Sequence, residues 1–364
     1  MRCPRCGAEV PPSPLSFKCP RCGELLDAVI EEPTINPKGR GVWRFSSILP
    51  QPRTKITLGE GCTPLIRLRS DLLLKFEGAN PTGSFKDRGM TVGVSIAKAA
   101  GASSLVVAST GNTAASAAAY GAAAGLEVKV ALPDGHVAAG KLAQAIVHGA
   151  TILKIRGNFD EALNYVLEKE AGRSYPLNSF NPWRLEGQKT IALEIIEEAR
   201  IDNVIVPVGN AGNIYAIWKG YREAMEAGLV ESIPRLIGVQ AEGASPIASA
   251  WAMGREELVP VKPETVASAI RIGKPVNWFR AWRAVKATGG GFMKVSDEEI
   301  INAQKALARM GIFVELASAS TYAAYLRLAG SGELSGSTVL IATGHGLKDP
   351  DAVARYLPRI IEVY

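Results

Sequence analysis

A chain of 364 residues that is 47% hydrophobic and 21% charged has apolar material for more than one buried core, which excludes a disordered or low-complexity protein. Its formal charge of +6 comes without a long basic block, so an anionic small molecule is a better-supported partner than nucleic acid. No apolar run is long enough to cross a bilayer, and the opening "MRCPRCGAEV" lacks the apolar stretch of a signal peptide, so a cytoplasmic protein without a membrane partner is expected.

The first predicted element is a metal knuckle. "CPRCG" occurs at 3–7 and again at 19–23, so Cys3, Cys6, Cys19 and Cys22 form two C-x2-C pairs. The glycine after each pair permits the tight turn that brings two thiolates to one point. Four thiolates at this spacing suit a closed tetrahedral zinc site, which is structural because no ligand position is left for a substrate. Iron in a rubredoxin-like site and disulfides are the alternatives, and a reducing compartment disfavours disulfides. Arg5 and Arg21 are a thin basis for nucleic-acid contact. The fifth cysteine, Cys62 in "GEGCTPL", is expected to be a small buried residue.

Residues 27–57 are rich in proline ("EEPTINPKGRGVW", "ILPQPRTK") and read as a connecting segment draped over a neighbouring surface. Next comes "FEGANPTGSFKDRGM" at 76–90, which sets Lys86 among small, turn-forming and hydroxyl residues at the entry to a helix. A solvated lysine needs no such setting, whereas a lysine that holds a small molecule covalently does. From 103 onward short apolar runs alternate with helical patterns. "SLVVAS", "EVKVALP" and "TILKI" are strands, followed by helices over 112–124, 137–149 and 158–171. "NVIVPVG", a helix over 213–227, "RLIGVQ" and "STVLIATG" continue the alternation. Such a β–α order predicts α/β architecture with mainly parallel sheets covered by helices. The units in 103–171 form one compact block, and the strands on either side of it build a second sheet. Three modules are expected: a zinc-ribbon-like four-cysteine knuckle over 1–26, a large α/β domain over 27–89 and 172–364, and a smaller nested α/β domain over 90–171.

Three strand-to-helix loops are rich in Gly, Asn, Ser and Thr: "ASTGNTAAS" at 108–116, "PVGNAGNIY" at 207–215 and "ATGHGLKDP" at 342–350. Ligands of α/β sheets bind at the carboxyl ends of strands, beside helix N-termini whose free amides favour anions. Gly209, Asn210, Ala211, Gly212 and Asn213 are therefore expected to cradle a phosphate with backbone amides. "GHVAAGKL" at 135–142 approaches a nucleotide-triphosphate loop, but Leu142 stands where a magnesium-binding Ser or Thr is required. The histidines are His136, His148 and His345, and no G-x-S-x-G elbow supports a hydrolase.

"NPTGSFKDRG" resembles the cofactor-lysine segment of fold-type II pyridoxal-phosphate enzymes. Together with "STGNTAAS", "GNAGNI", "NSFNPWRLEGQKT" and "TGHGLKDP" it is similar to the threonine synthase family in particular, from about Thr57 to the C-terminus. The resemblance implies a tryptophan synthase β-like fold with the cofactor cleft between two open sheets. It also implies a pyridoxal 5'-phosphate lyase that converts O-phospho-L-homoserine and water to L-threonine and phosphate, working as a homodimer. By the same likeness Lys86 would hold the cofactor, Ser84 and Phe85 would wall it, and Asn112 would meet its 3-hydroxyl. Ser109, Thr110 and Thr113 would surround the substrate carboxylate, the 209–213 loop would take the cofactor phosphate, and Thr343 would face the pyridine nitrogen. Asn178, Ser179, Arg184 and Lys189 resemble a substrate-phosphate site, with Lys141 and Gln144 near the cleft. One departure is Lys274 in "RIGKPVNW", where the family commonly has asparagine. Cysteate synthase acting on O-phosphoserine, and a serine or threonine dehydratase, are the rival activities within the fold. A zinc-ribbon nucleic-acid binder with a non-catalytic body is the rival outside it.

Overall fold

A computed structural model describes residues 1–349 apart from 135–138, 158 and 171. Gly135 and His136 of the near-miss nucleotide loop, Pro350, and the side chain of Lys141 lie outside what it describes.

The larger sheet contains β1 (Leu65–Arg67), β2 (Leu72–Phe76), β7 (Asn203–Pro207), β8 (Arg235–Ala241), β9 (Gly291–Val295) and β10 (Thr338–Ala342) in the order β1-β2-β10-β7-β8-β9. Only β1 runs antiparallel, against β2. The others are parallel, with Val339 of β10 registered on Leu73 of β2 and on Val204 of β7. The smaller sheet is wholly parallel, with β3 (Ser104–Ala108), β4 (Glu127–Pro133), β5 (Thr151–Ile155) and β6 (Tyr175–Pro176) in the order β5-β4-β3-β6. β6 lies past residue 171, so the smaller sheet recruits one strand from beyond the nested block.

Helices α1 (Lys86–Ala99), α2 (Asn112–Ala123), α3 (Ala139–Val147) and α4 (Phe159–Tyr165) lead into or flank the smaller sheet. Then come α5 (Trp183–Gln188), α6 (Thr190–Glu198), α7 (Gly212–Glu226), α8 (Pro246–Ala252), α9 (Trp278–Ala287), α10 (Asp297–Arg309) and α11 (Leu316–Gly330). Central strands such as β3, β7 and β10 are buried at every residue, as expected when helices cover both faces of a parallel sheet. Separate apolar cores form on the two faces of the larger sheet, around Val206 and Ile217 on one side and Leu74 and Tyr322 on the other. A third sits around Val107 and Tyr120 beneath the smaller sheet. The proline-rich segment buries Val42, Phe45 and Ile48 against Val92, Trp183 and Leu193, which matches its expected draped course. Cys62 departs from expectation. It is exposed, in a left-handed turn (φ 50°), and its sulfur accepts the Gly41 amide at 3.3 Å instead of filling a core.

In the knuckle, Gly7 and Gly23 have φ of 71° and 76°, and their amides donate to the carbonyls of Cys3 and Cys19. Each C-x2-C pair is thereby folded back on itself. The four sulfurs lie within 4.8 Å of one another, with Cys3–Cys22 at 3.4 Å and Cys6–Cys19 at 3.7 Å. A tetrahedron with metal–sulfur arms of about 2.3 Å has edges of about 3.8 Å, so the donor set fits one zinc-sized ion.

Candidate active site

Residues around Lys86 explain its setting. Gly83 takes φ 82°, and the Thr82 amide and hydroxyl both donate to the Asp87 carboxylate, at 2.7 and 2.6 Å. Asp87 also accepts from Ser116 of α2. Arg88, fully buried, pairs with Glu77 and Glu194 at 2.6 and 2.7 Å. The entry to α1 is thus clamped on both sides of the lysine. The segment just before it pairs with the end of β10: Phe85 N donates to the Thr343 carbonyl at 3.0 Å, and His345 N to the Gly83 carbonyl at 2.9 Å. Lys86 emerges at the carboxyl end of the larger sheet with its side-chain nitrogen 4.0 Å from the centre of the Phe85 ring.

Lys86 opens into a cavity of about 680 Å³ formed by the carboxyl ends of both sheets. Of the residues expected at the site, this cavity gathers Phe85, Lys86, Ser109, Thr110, Asn112, Thr113, Asn178, Ser179, Arg184, the whole 209–213 loop and Thr343. Two do not belong to it. Ser84 is fully buried behind the lysine, bridged through its backbone to Gly344. Lys189 is also fully buried, ion-paired with Glu186 at 2.7 Å and Glu223 at 2.6 Å, so its charge is already engaged inside the protein and is not free for a substrate phosphate. Gln144 stays at the margin, accepting from Lys348. Lys274 lies outside the cavity wall, while its neighbours Arg271 and Ile272 line it.

Burial pushes the Lys86 amine down to about 7. The nearby Arg184 guanidinium pushes the same way, and Glu315 opposes. A large share of the amine is then neutral, and nucleophilic, at physiological pH. Arg184, only 2% exposed, gives one N–H to the Leu177 carbonyl at 2.9 Å and leaves Nε without a partner. Among the described residues it forms no ion pair with a carboxylate. An uncompensated buried guanidinium facing a cavity is suited to receive an anion. Asn178 is more fully engaged than its polar character suggests, with its amide giving to and taking from the Ala108 backbone at 2.9 Å each way.

The 209–213 loop enters α7 through Ala211 in the left-handed region (φ 63°). Asn213, 7% exposed, has both side-chain polar atoms without partners. A Cβ on Gly209 would come within 3.1 Å of the Ala269 carbonyl. Free amides at a helix N-terminus, an unpartnered amide side chain and a cradle with little room for an extra carbon fit a phosphate ester. With a lysine of lowered pKa across the cavity, the donor set fits pyridoxal phosphate.

Sequence reasoning missed Glu315. It is buried between the last turn before α11 and the end of β10, and accepts from Asn112 Nδ2 at 2.8 Å and from Thr343 Oγ1 at 2.9 Å. Burial pushes its carboxyl up, against those two hydrogen bonds. It joins an expected residue of the smaller sheet to one of the larger. Lys348, also missed, lines the wall and donates to the Thr82 carbonyl at 2.9 Å.

Fold and site together define a member of the pyridoxal-phosphate dependent enzyme family, whose profile matches residues 56–344, and the chain belongs to that family. Within it the chain belongs with the threonine synthases. It is 48% identical to the threonine synthase of Methanocaldococcus jannaschii over 97% of this chain and 94% of that one, and 46% identical to that of Methanosarcina acetivorans over 97% and 93%. The crystal structure of Escherichia coli threonine synthase superposes with a TM-score of 0.67 at 21% identity, covering 81% of this chain and 72% of that one, which supports the fold.

Proposed function

We infer that this protein is a threonine synthase, converting O-phospho-L-homoserine and water to L-threonine and phosphate. The observation that carries the choice of substrate is Arg184: a buried guanidinium with no carboxylate partner among the described residues, in the same cavity as Lys86 and on a different element from the 209–213 cradle. One phosphate belongs to the cofactor and the other to the substrate. A serine or threonine dehydratase has no second phosphate to bind.

Bound pyridoxal phosphate supplies the electron sink that makes protons on the substrate α and β carbons removable. The 209–213 amides and Asn213 would hold its phosphate, Phe85 and Asn112 would hold its ring, and Thr343, which donates to Glu315 at 2.9 Å, would lie beside that ring. Ser109 and Thr110 after β3 and Thr113 in the first turn of α2 would take the substrate carboxylate. Arg184, Ser179 and Asn178 take the γ-phosphate and keep it in place as it leaves. The Lys86 amine, with its pKa lowered to about 7, would hold the cofactor and would move the proton at the α carbon. We extend the reading to a zinc ion in the knuckle, to a homodimer on family likeness alone, and to a cytoplasmic setting.

Purified enzyme given O-phosphohomoserine should release phosphate and threonine in equal amounts, and Lys86→Ala should release neither. Turnover of O-phosphoserine with sulfite instead would move the assignment to cysteate synthase. Oxobutyrate formed from threonine without phosphate dependence would move it to a dehydratase.

A further inference from the structure

Two of the places where the knuckle touches the body lead to the segment that carries Arg184; a third joins it to α9, where Arg283 donates to the Pro4 carbonyl at 2.6 Å and the Arg5 guanidinium lies 3.9 Å from the centre of the Phe279 ring. At the first, the loop between the C-x2-C pairs lies on residues 175–183. The Pro14 carbonyl accepts from the Tyr175 hydroxyl at 2.8 Å and from Trp183 Nε1 at 3.3 Å. The Phe17 ring packs 6.0 Å from Tyr175 and 5.6 Å from Phe180, centroid to centroid. Those contacts bracket Asn178 and Ser179. At the second, Asp27 leaves the knuckle and enters the body. Its backbone exchanges two hydrogen bonds with Arg2, beside Cys3, while its carboxylate accepts from Tyr215 at 2.7 Å and pairs with Lys219 at 3.1 Å, both on α7. Lys219 also pairs with Glu186 of α5, and Glu186 with Lys189, which pairs with Glu223. Arg280 of α9 donates to the Leu26 carbonyl at 3.3 Å. Burial alone would raise the Asp27 carboxyl, but Lys219 and Arg280 hold it below its usual range. The chain of buried charges runs from the knuckle to α5, one turn of which presents Arg184 to the cavity.

We propose that the four-cysteine module is a clamp on the anion-binding segment 178–184, with Asp27 as its positioning residue. This rests on the reading of Arg184 as a phosphate ligand. Buried ion pairs have two properties that suit the task. Removing one partner leaves an uncompensated charge, so the geometry is strongly specified. A contiguous buried network also carries a displacement at one end to the other, because packed interiors do not deform continuously. The metal holds the fold of the knuckle, the knuckle holds Arg2 against Asp27, and Asp27 holds Lys219 and, through it, α5. The ion-paired network comprises three carboxylates (Asp27, Glu186, Glu223) and two cations (Lys189, Lys219), and the Arg280 guanidinium acts on Asp27 through its charge as a third cation. Loss of Asp27 alone leaves one cation in excess next to α5.

The test uses holoenzyme, so that the cofactor cradle is filled, and measures inorganic phosphate binding by calorimetry alongside steady-state kinetics. Asp27→Asn should weaken phosphate binding and raise KM each about tenfold, with kcat changed less than threefold and the metal content unaltered. A purely structural role would lower the unfolding temperature and leave phosphate affinity and KM where they are, which would overturn the clamp. Where Asp27→Asn does not fold, Asp27→Asn with Lys219→Met restores the charge balance. That folded double variant should still bind phosphate more weakly than wild type, and wild-type affinity in it sinks the proposal. Wild-type holoenzyme that binds no phosphate would instead overturn the reading of Arg184, and the clamp with it.

Discussion

At the scale of single residues, Lys86 and Arg184 act on each other. Both cations share one cavity, and Arg184 is one cause of the low Lys86 pKa. A lysine with an unperturbed pKa would capture aldehyde faster at each step up to about pH 10.4. Here the rate at which apoenzyme binds pyridoxal phosphate covalently should rise with pH to about 7 and then level off. Absorbance followed after mixing at a series of pH values measures this. The sign follows from the direction of the shift: a lowered lysine pKa means the reactive neutral amine appears at lower pH. Arg184→Met removes the like charge, so the same midpoint should move upward. On the proposed role of Arg184 it would also remove charge-assisted hydrogen bonds to the substrate phosphate, each worth about 1.5–3 kcal/mol, so KM should rise about ten- to a hundredfold. Steady-state kinetics and the capture profile of one variant thus read both roles.

Elements place these residues through close approach. α1 and α5 cross where Gly89 and Gly187 face each other; a Cβ on Gly89 would lie 2.9 Å from the Arg184 carbonyl, and one on Gly187 would overlap the Arg88 carbonyl. Gly187→Ala should force the helices apart at a cost of about 1–3 kcal/mol. Because α1 begins with Lys86 and α5 carries Arg184, activity should fall together with the urea midpoint, whereas an effect on packing alone would spare kcat/KM. The glycines in "DRGM" and "LEGQ" were readable in the sequence, but the pairing of the two helices was not. Lys86 was legible because a turn, a hydroxyl cluster and a helix start all fall within a few residues. Glu315 was not, because its meaning depends on Asn112, 203 residues away. Lys189 misled for the opposite reason: residue type does not reveal direction, although Glu186 one helical turn earlier hinted at an internal pair. The α10 start was written in "SDEE", where Ser296 and Glu299 form a reciprocal capping box. α11 had no such signature, since its Ala, Ser and Tyr residues are buried nearly all round and show no polar face.

On the scale of the whole molecule, the two sheets each supply half of a site, and polar contacts between their elements help to hold the halves together, among them Ser116 to Asp87 and Tyr120 to Glu60. The larger sheet offers Lys86, the 209–213 loop and Thr343; the smaller offers the 109–113 loop. Asn112 to Glu315 is one link. Lys348 makes another, since its ammonium reaches from the turn after β10 to the Thr82 carbonyl at the lysine turn and to Gln144 of α3 at 2.6 Å. A helix at the margin of the smaller sheet should open locally at less than the global unfolding free energy. Lys348→Met deletes the α3 link while keeping the aliphatic stem. If the link is worth about 1–1.5 kcal/mol, amide exchange across 139–147 should speed up about tenfold. Exchange in β7 and β10, buried at the centre of the other sheet, should not change. Exchange measured by mass spectrometry on wild type and variant separates these segments. Equal acceleration in both sheets would mean that Lys348 supports global stability, and unchanged exchange in α3 would mean that the smaller sheet is held closed without it, by the Asn112–Glu315, Ser116–Asp87 and Tyr120–Glu60 contacts and apolar packing.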